Sequence, residues 1–225
     1  MYIYAFSNYR DIVTEKLSDK KPLLAQKFNR TDNFINLTLL GAQRCVHNIS
    51  LDRDTSIYLA SRNGNMNTTI KVLDAIFIKD RLPMPFNFLN SVNASKLFFL
   101  ARNFGIEGKT LFVDRFESAL PQAFVDVKQG KTVLLGVVEE AIEDLELHRE
   151  RFGVDEIEES SRWLILSSKL NGLEPIAKID NFRFATTSKR YSAIAELFLF
   201  LESRSDEVFE FYGENLSFRV RLSNC

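Results

Sequence analysis

The chain has 225 residues, 45% of them hydrophobic and 26% charged, with a formal charge of −1. That is ordinary globular composition at a length that suits one domain with one main core. Basic and acidic residues interleave, so there is no broad positive field of the kind nucleic-acid binding uses. No apolar run approaches the roughly 20 residues of a membrane span, and no leader pattern opens the sequence; the cytoplasm is the expected compartment.

In chain order, residues 1–7 read as a first strand around Tyr2-Ile3-Tyr4-Ala5-Phe6, and residues 8–30, polar and aperiodic, as a loop or arm. Thr31 and Asp32 can cap a helix in which Phe34, Leu37, Leu40 and Cys45, with Ile35, Leu39 and Val46, keep helical spacing. His47 near its end suits the negative end of a helix dipole, a structural role. Residues 55–61 read as a strand, Arg62-Asn63-Gly64-Asn65 as a turn, and residues 68–79 as a helix. Pro83 and Pro85 stop that helix and should force an extended approach over residues 81–90. Residues 91–104 then form one helix capped by Asn90 or Ser91, with Leu97, Phe98, Leu100, Ala101 and Phe104 on a broad apolar face. Asn93, in its first turn, would orient a loop, reach a partner, or simply bond the local backbone.

After the turn Gly108-Lys109, the β-prone run Thr110 to Val113 passes through Asp114 into a helical start at Ser118-Ala119. Strand, elbow and helix in that order can hold a nucleophile beside a helix N-terminus, yet no nucleophile stands there. The helix runs over residues 118–128 with Pro121 in its first turn. Residues 132–138 form a continuous apolar strand, the mark of a sheet covered on both faces. Glu139 and Glu140 at its carboxyl end raise general acid-base or metal chemistry, and the acid-rich residues 141–161 read as a solvated excursion. Strands over residues 161–169, around Trp163-Leu164-Ile165-Leu166, and 176–184 follow. Next come the polar Thr186-Thr187-Ser188, a helix over residues 191–203, and a hairpin turning at Gly213-Glu214-Asn215. The two cysteines, Cys45 and Cys225, make neither a disulfide framework nor a metal spacing, and no cofactor motif occurs. Twenty phenylalanines against one tryptophan leave two readings: core packing, or a surplus of apolar surface for a partner interface or an acyl tunnel.

Ser91-Val92-Asn93-Ala94, Gly108-Lys109 and Val113-Asp114-Arg115-Phe116-Glu117-Ser118-Ala119 occur in an order found in the β-ketoacyl synthases of the thiolase superfamily. Those enzymes carry an asparagine-containing helix, a Gly-Pro, a strand and Val-Asp-Thr-Ala-Cys-Ser-Ser. Over about residues 56–172 the chain resembles that family, especially the short β-ketoacyl-synthase-like domains of aryl polyene and polyketide clusters. The resemblance implies an α/β, thiolase-like half over residues 1–225: a layered mixed β-sheet with helices on both faces and a shortened C-terminal part.

Glu117 falls on the family's catalytic cysteine, and only Gly64 remains of a Gly-rich segment. The family's second half supplies two histidines, whereas His47 and His148 lie in neither a His-Gly-Thr nor an Asn-Phe-Gly context. A glutamate makes no stable thioester link, so no intrinsic condensation is expected. The resemblance then implies a chain-length-factor-like subunit that forms a heterodimer with an active β-ketoacyl synthase and meets an acyl carrier protein through the complex. In such pairs the strand before the elbow, here Thr110, Leu111, Phe112 and Val113, is the sheet edge that pairs with the partner. The acyl-tunnel candidates are Phe86, Phe88, Asn93, Phe98, Phe99 and Phe116. The rival is a small decarboxylase-like or acyl-binding enzyme using Glu117, Glu139 or Glu140 as a base; a third reading is a homodimeric interaction module. Glu117 itself is expected to pair with Arg115 or a partner's cation, or to cap backbone amides.

Overall fold

A computed structural model describes residues 1–15, 28, 30–184 and 192–223. The chain runs β1 (Tyr2–Ile12), α1 (Asn33–Val46), β2 (Ser56–Ala60), α2 (Met66–Phe77), α3 (Pro85–Ser91), α4 (Ser95–Phe104), β3 (Thr110–Val113), α5 (Phe116–Lys128), β4 (Val133–Glu139), α6 (Leu145–Phe152), β5 (Glu158–Ser167), β6 (Ala177–Arg183), α7 (Ile194–Ser203), β7 (Val208–Tyr212) and β8 (Ser217–Leu222). Among the described residues the strands form one sheet in the order β3-β2-β4-β5-β1-β6-β8-β7. β2 is parallel to β3 and β4, and every other pairing is antiparallel, so the sheet is mixed, as expected.

Strand alternation sorts the apolar residues onto two faces. Ile57, Leu59, Leu134, Trp163 and Ile165 turn toward α1 and α4, where Phe34, Leu37 and Leu100 meet them. Tyr58, Leu135, Leu164 and Leu166 turn toward α5 and α7, against Phe116, Leu120, Phe198 and Leu201. Helices therefore cover both faces, which is why β4 is apolar from Val133 to Val138 and β5 from Trp163 to Leu166. α1 starts where its cap predicts, with the Asp32 carboxylate accepting from Ile35 N at 2.9 Å. The C-terminal hairpin also forms as read.

Several boundaries differ from the sequence reading, each for a tertiary reason. β1 continues to Ile12 because β5 supplies partners for its polar half, including Arg162 Nε to Asn8 Oδ1 at 3.0 Å. Residues 16–27 and 29 of the expected arm, residues 186–188, and Cys225 lie outside the described residues. Pro85 does not hold residues 81–90 extended; it stands at the first position of α3, where a missing N–H costs nothing. The single helix expected over residues 91–104 breaks at Val92–Ala94, and neither Asn90 nor Ser91 caps α4, whose cap position is Ala94. α5 begins two residues early, at Phe116, which leaves Pro121 in the helix interior rather than its first turn. The acidic segment is only partly solvated. Asp144 caps α6 by accepting from Leu147 N, and Ala141, Ile142 and Ile157 are buried. No helix among the described residues is long and apolar enough to cross a membrane.

Candidate functional site

The elbow forms as the sequence suggests. Among the described residues β3 pairs with β2 and ends the sheet, so Thr110 to Val113 is its edge there; beyond it Asp114 and Arg115 turn the chain into α5, with Glu117 in the first turn. A cleft of about 300 Å³ opens there, at the carboxyl ends of β2, β3 and β4. Its polar lining includes Arg62, Asn63, Arg115, Glu117 and Glu139, and its apolar lining Phe116, Val137, Phe152 and Phe211. This is where ligand sites gather in open α/β sheets.

Packing occupies most of the groups that a reaction would use. Arg115, the expected partner of Glu117, instead pairs with Glu214 and, at 3.5 Å, with Asp114. Glu117 lies half-buried under the β7–β8 turn, where a Cβ on Gly213 would stand 2.6 Å from its Cγ. Phe116 is a core residue, its ring 5.8 Å from that of Phe211 and 6.3 Å from that of Phe218.

The two acids after β4 do not work as a pair. Glu139 accepts from Arg62 N at 2.8 Å, Ser61 Oγ at 3.2 Å and Asn63 N at 3.3 Å, which closes the β2–α2 turn. Burial raises its pKa, and those hydrogen bonds offset only part of the rise. Glu140 is buried on the α1 side among Asn33, Asn67, Asp32 and Glu159. Burial, with the nearby Asp32 and Glu159 carboxylates adding to it, pushes Glu140 up to about 8 against the pull of Asn33 and Asn67. Successive residues at a strand end turn to opposite faces, so the paired-acid arrangement does not form. Among the described residues, no group of three or more His, Cys, Asp or Glu is placed to hold a metal ion.

The tunnel candidates separate in the same way. Phe86, Phe88 and Phe98 are exposed on α3 and α4, and Phe99 is half-buried against the α1-side core. Arg30 lies over the Phe86 ring at 4.2 Å, and Phe99 meets Phe98 edge to face at 5.6 Å. Phe116 belongs to the opposite face. Asn93 is an internal bolt: its Oδ1 accepts from Asn65 N at 3.1 Å and sits where a Cβ on Gly64 would be 2.5 Å away.

The sequence reading missed the polar interior around this bolt. Lys96 is fully buried, and its pKa is lowered to about 8 by burial, which the charges of Asp32 and Glu140 oppose. Since Glu140 is largely neutral near pH 7, Asp32 is the carboxylate that balances the ammonium. The signal was present: Lys96, Leu100 and Asn103 share one helical stripe, and all three are buried.

No family model and no curated protein matches the sequence. Among solved structures, the chain is similar to a chain in the complex of the ketosynthase ApeO with its chain length factor ApeC from Xenorhabdus doucetiae. That match has 14% identity, covers 98% of this chain and 99% of the other, and has a TM-score of 0.66. A second similarity is to the ishigamide ketosynthase/chain length factor, at 10% identity with a TM-score of 0.58. It covers 85% of this chain and 65% of the ishigamide chain. The fold is thiolase-like. Because the first match runs over nearly the whole length, the strands β6, β8 and β7 belong to the shared thiolase-like fold rather than being an appendage to it.

Proposed function

We propose that the chain is a non-catalytic, chain-length-factor-like partner of an active β-ketoacyl synthase in fatty-acid-like polyene or polyketide biosynthesis. In this role it completes a heterodimer, meets the acyl carrier protein through that complex, and shapes the acyl tunnel. The observation that carries the reading is a run of exposed apolar residues on α2, α3, α4 and the intervening loop, of which α4 packs against the edge strand β3: Leu73, Ile76, Phe77, Ile78, Leu82, Met84, Phe86, Phe88, Leu89, Val92 and Phe98. Exposure reaches 79% at Phe77 and 93% at Leu82. Apolar side chains left exposed in such number over one stretch mark an interaction surface, and a standard interface takes roughly 800 Å² from each partner.

The face lies over residues 73–98, toward the N-terminal side of the elbow, because Phe116 and Leu120 are spent in the core. The structure similar at TM-score 0.66 is a ketosynthase with its chain length factor, and the matched chain has nearly this chain's length, which supports the same role here. Glu117, which the sequence resemblance puts at the family's cysteine position, would then belong to a subunit whose chemistry resides in the other chain.

The test is co-expression with a cysteine-containing ketosynthase from the same genome. A stable heterodimer should form, while the chain alone should self-associate or aggregate. A well-behaved monomer that ignores the ketosynthase would refute the proposal, and a stable homodimer that excludes it would favour the interaction-module reading.

A further inference from the structure

The aromatic face has an internal support. Between α3 and α4 the chain kinks at Val92–Ala94 without a side-chain cap at the start of either helix, and local donors serve part of the turn: Ser91 Oγ to Phe88 O at 2.7 Å, Val92 N to Leu89 O at 3.3 Å and Ser95 N to Val92 O at 3.0 Å. Lys96 Nζ reaches in from α4 to tie two of these carbonyls together, donating to Asn90 O at 2.5 Å and Val92 O at 3.3 Å. Asn65 Nδ2 donates to the same Asn90 carbonyl at 2.6 Å and to Asp32 Oδ2 at 2.5 Å. Asn90 Nδ2 donates to Arg30 O at 2.9 Å. The kink thus hangs on the β2–α2 turn and the segment before α1 through residues 25 to 60 positions away.

We infer that Lys96 is a positioning residue for the docking surface: its buried ammonium fixes the α3–α4 kink and so sets the spacing of Phe88, Leu89, Val92 and Phe98 that a partner meets. A fully buried ammonium is unfavourable unless its donors are satisfied and its charge balanced. Here the donors are spent on the two carbonyls of the kink, and Asp32 balances the charge across Asn65. The four exposed side chains make no core of their own, so the kink is defined by its polar ties, of which Lys96 is the one that joins the end of α3 to α4 directly, beside those of Asn65, Asn90 and Asn93. The inference rests on the docking role proposed above.

Lys96→Met keeps the stem and volume while removing the ammonium, and it is paired with Asp32→Asn so that no charge is left without its partner. Hydrogen exchange should rise at least tenfold in peptides covering residues 85–104, while β2, β4 and β5 keep their protection. Affinity for the co-expressed ketosynthase should fall at least tenfold. In Lys96→Ala, propylammonium should restore protection over residues 85–104, and propanol should not. Uniform loss of protection across the sheet, no change over residues 85–104, or equal rescue by propanol would overturn the inference, as would an altered kink with undiminished ketosynthase affinity. A wild-type chain that binds no ketosynthase would remove the proposed function instead, and the exchange experiment would still decide whether Lys96 fixes the kink.

Discussion

Glu140→Gln should flatten a pH dependence that the wild-type chain carries in its interior. The Glu140 carboxyl is 3% exposed, its Oε2 has no hydrogen-bond partner among the described residues, and its pKa stands at about 8 against an ordinary 4.5. The folded state therefore holds a proton that the unfolded state releases above pH 4.5. A raised pKa gives stability that is fully present below 4.5 and is lost as pH rises toward 8. At about 1.4 kcal/mol per pH unit, the loss from this one group is about 3 kcal/mol between pH 5 and pH 7. Glutamine is neutral throughout and nearly isosteric, so the variant lacks that slope. His148 works in the opposite sense: burial first, then Arg149, lowers its pKa, so its contribution is lost as pH falls through the histidine range. It is present in both proteins and cancels in their difference. Urea denaturation at pH 5, 6, 7 and 8 would report the result as a stability difference that moves in favour of the variant by about 3 kcal/mol from pH 5 to pH 7. Parallel profiles would show that Glu140 ionises normally in the fold, and the reasoning about its burial would fail.

Asp126→Ala should cost about 2–4 kcal/mol by urea midpoint, because the buried Ser56 and Tyr58 hydroxyls, each 2.6 Å from the carboxylate, lose their acceptor together. Gly213→Ala should destabilise by about 1–3 kcal/mol through its clash with Glu117. Most of that loss should disappear in the double variant with Glu117→Ala, and additive losses would contradict the contact. Phe98→Ala, at a residue 59% exposed, should change stability by less than about 1 kcal/mol while altering carrier-bound product length in the reconstituted pair, read by mass spectrometry. Phe116→Ala, at 4% exposure, should cost about 3–5 kcal/mol, and equal losses for the two would break the distinction between face and core. Glu117→Gln should leave the ketosynthase partner's condensation rate within a few-fold, and abolished activity in an intact complex would argue for a chemical role.

Elements set by local signals were legible in the sequence. Asp32 announces α1, the unbroken apolar run announces β4 as a strand covered on both sides, and alternation around Gly213 announces the last hairpin. What was not legible depends on partners far along the chain. Nothing near Asn93 reveals that its carboxamide will fill the space over Gly64, so the break between α3 and α4 reads as continuous helix. The five residues beyond Ser7 become strand only because β5 lies beside them. Phenylalanine spacing alone cannot separate Phe98 on the surface from Phe116 in the core, since the sequence leaves Phe116 in the elbow before the helix and only the earlier start of α5 turns its ring toward Phe211 and Phe218.

The elbow shows how a site can keep its place in a fold while its side chains serve other ends. Strand, turn and helix meet at the carboxyl ends of β2, β3 and β4, where a cleft remains. Around it Glu139 closes the β2–α2 turn, Arg115 holds Glu214 of the hairpin, and Glu117 packs under Gly213. Each of these contacts fixes a group in a low-energy arrangement, and a general base or an ion-pair partner drawn from the set would first have to give up the contact that holds it. Exposed apolar side chains lie elsewhere, on α2 to α4, and among the described residues β3 ends the sheet. A sheet edge and exposed apolar side chains both favour association with another chain, and that is the physical basis of the partner role proposed above.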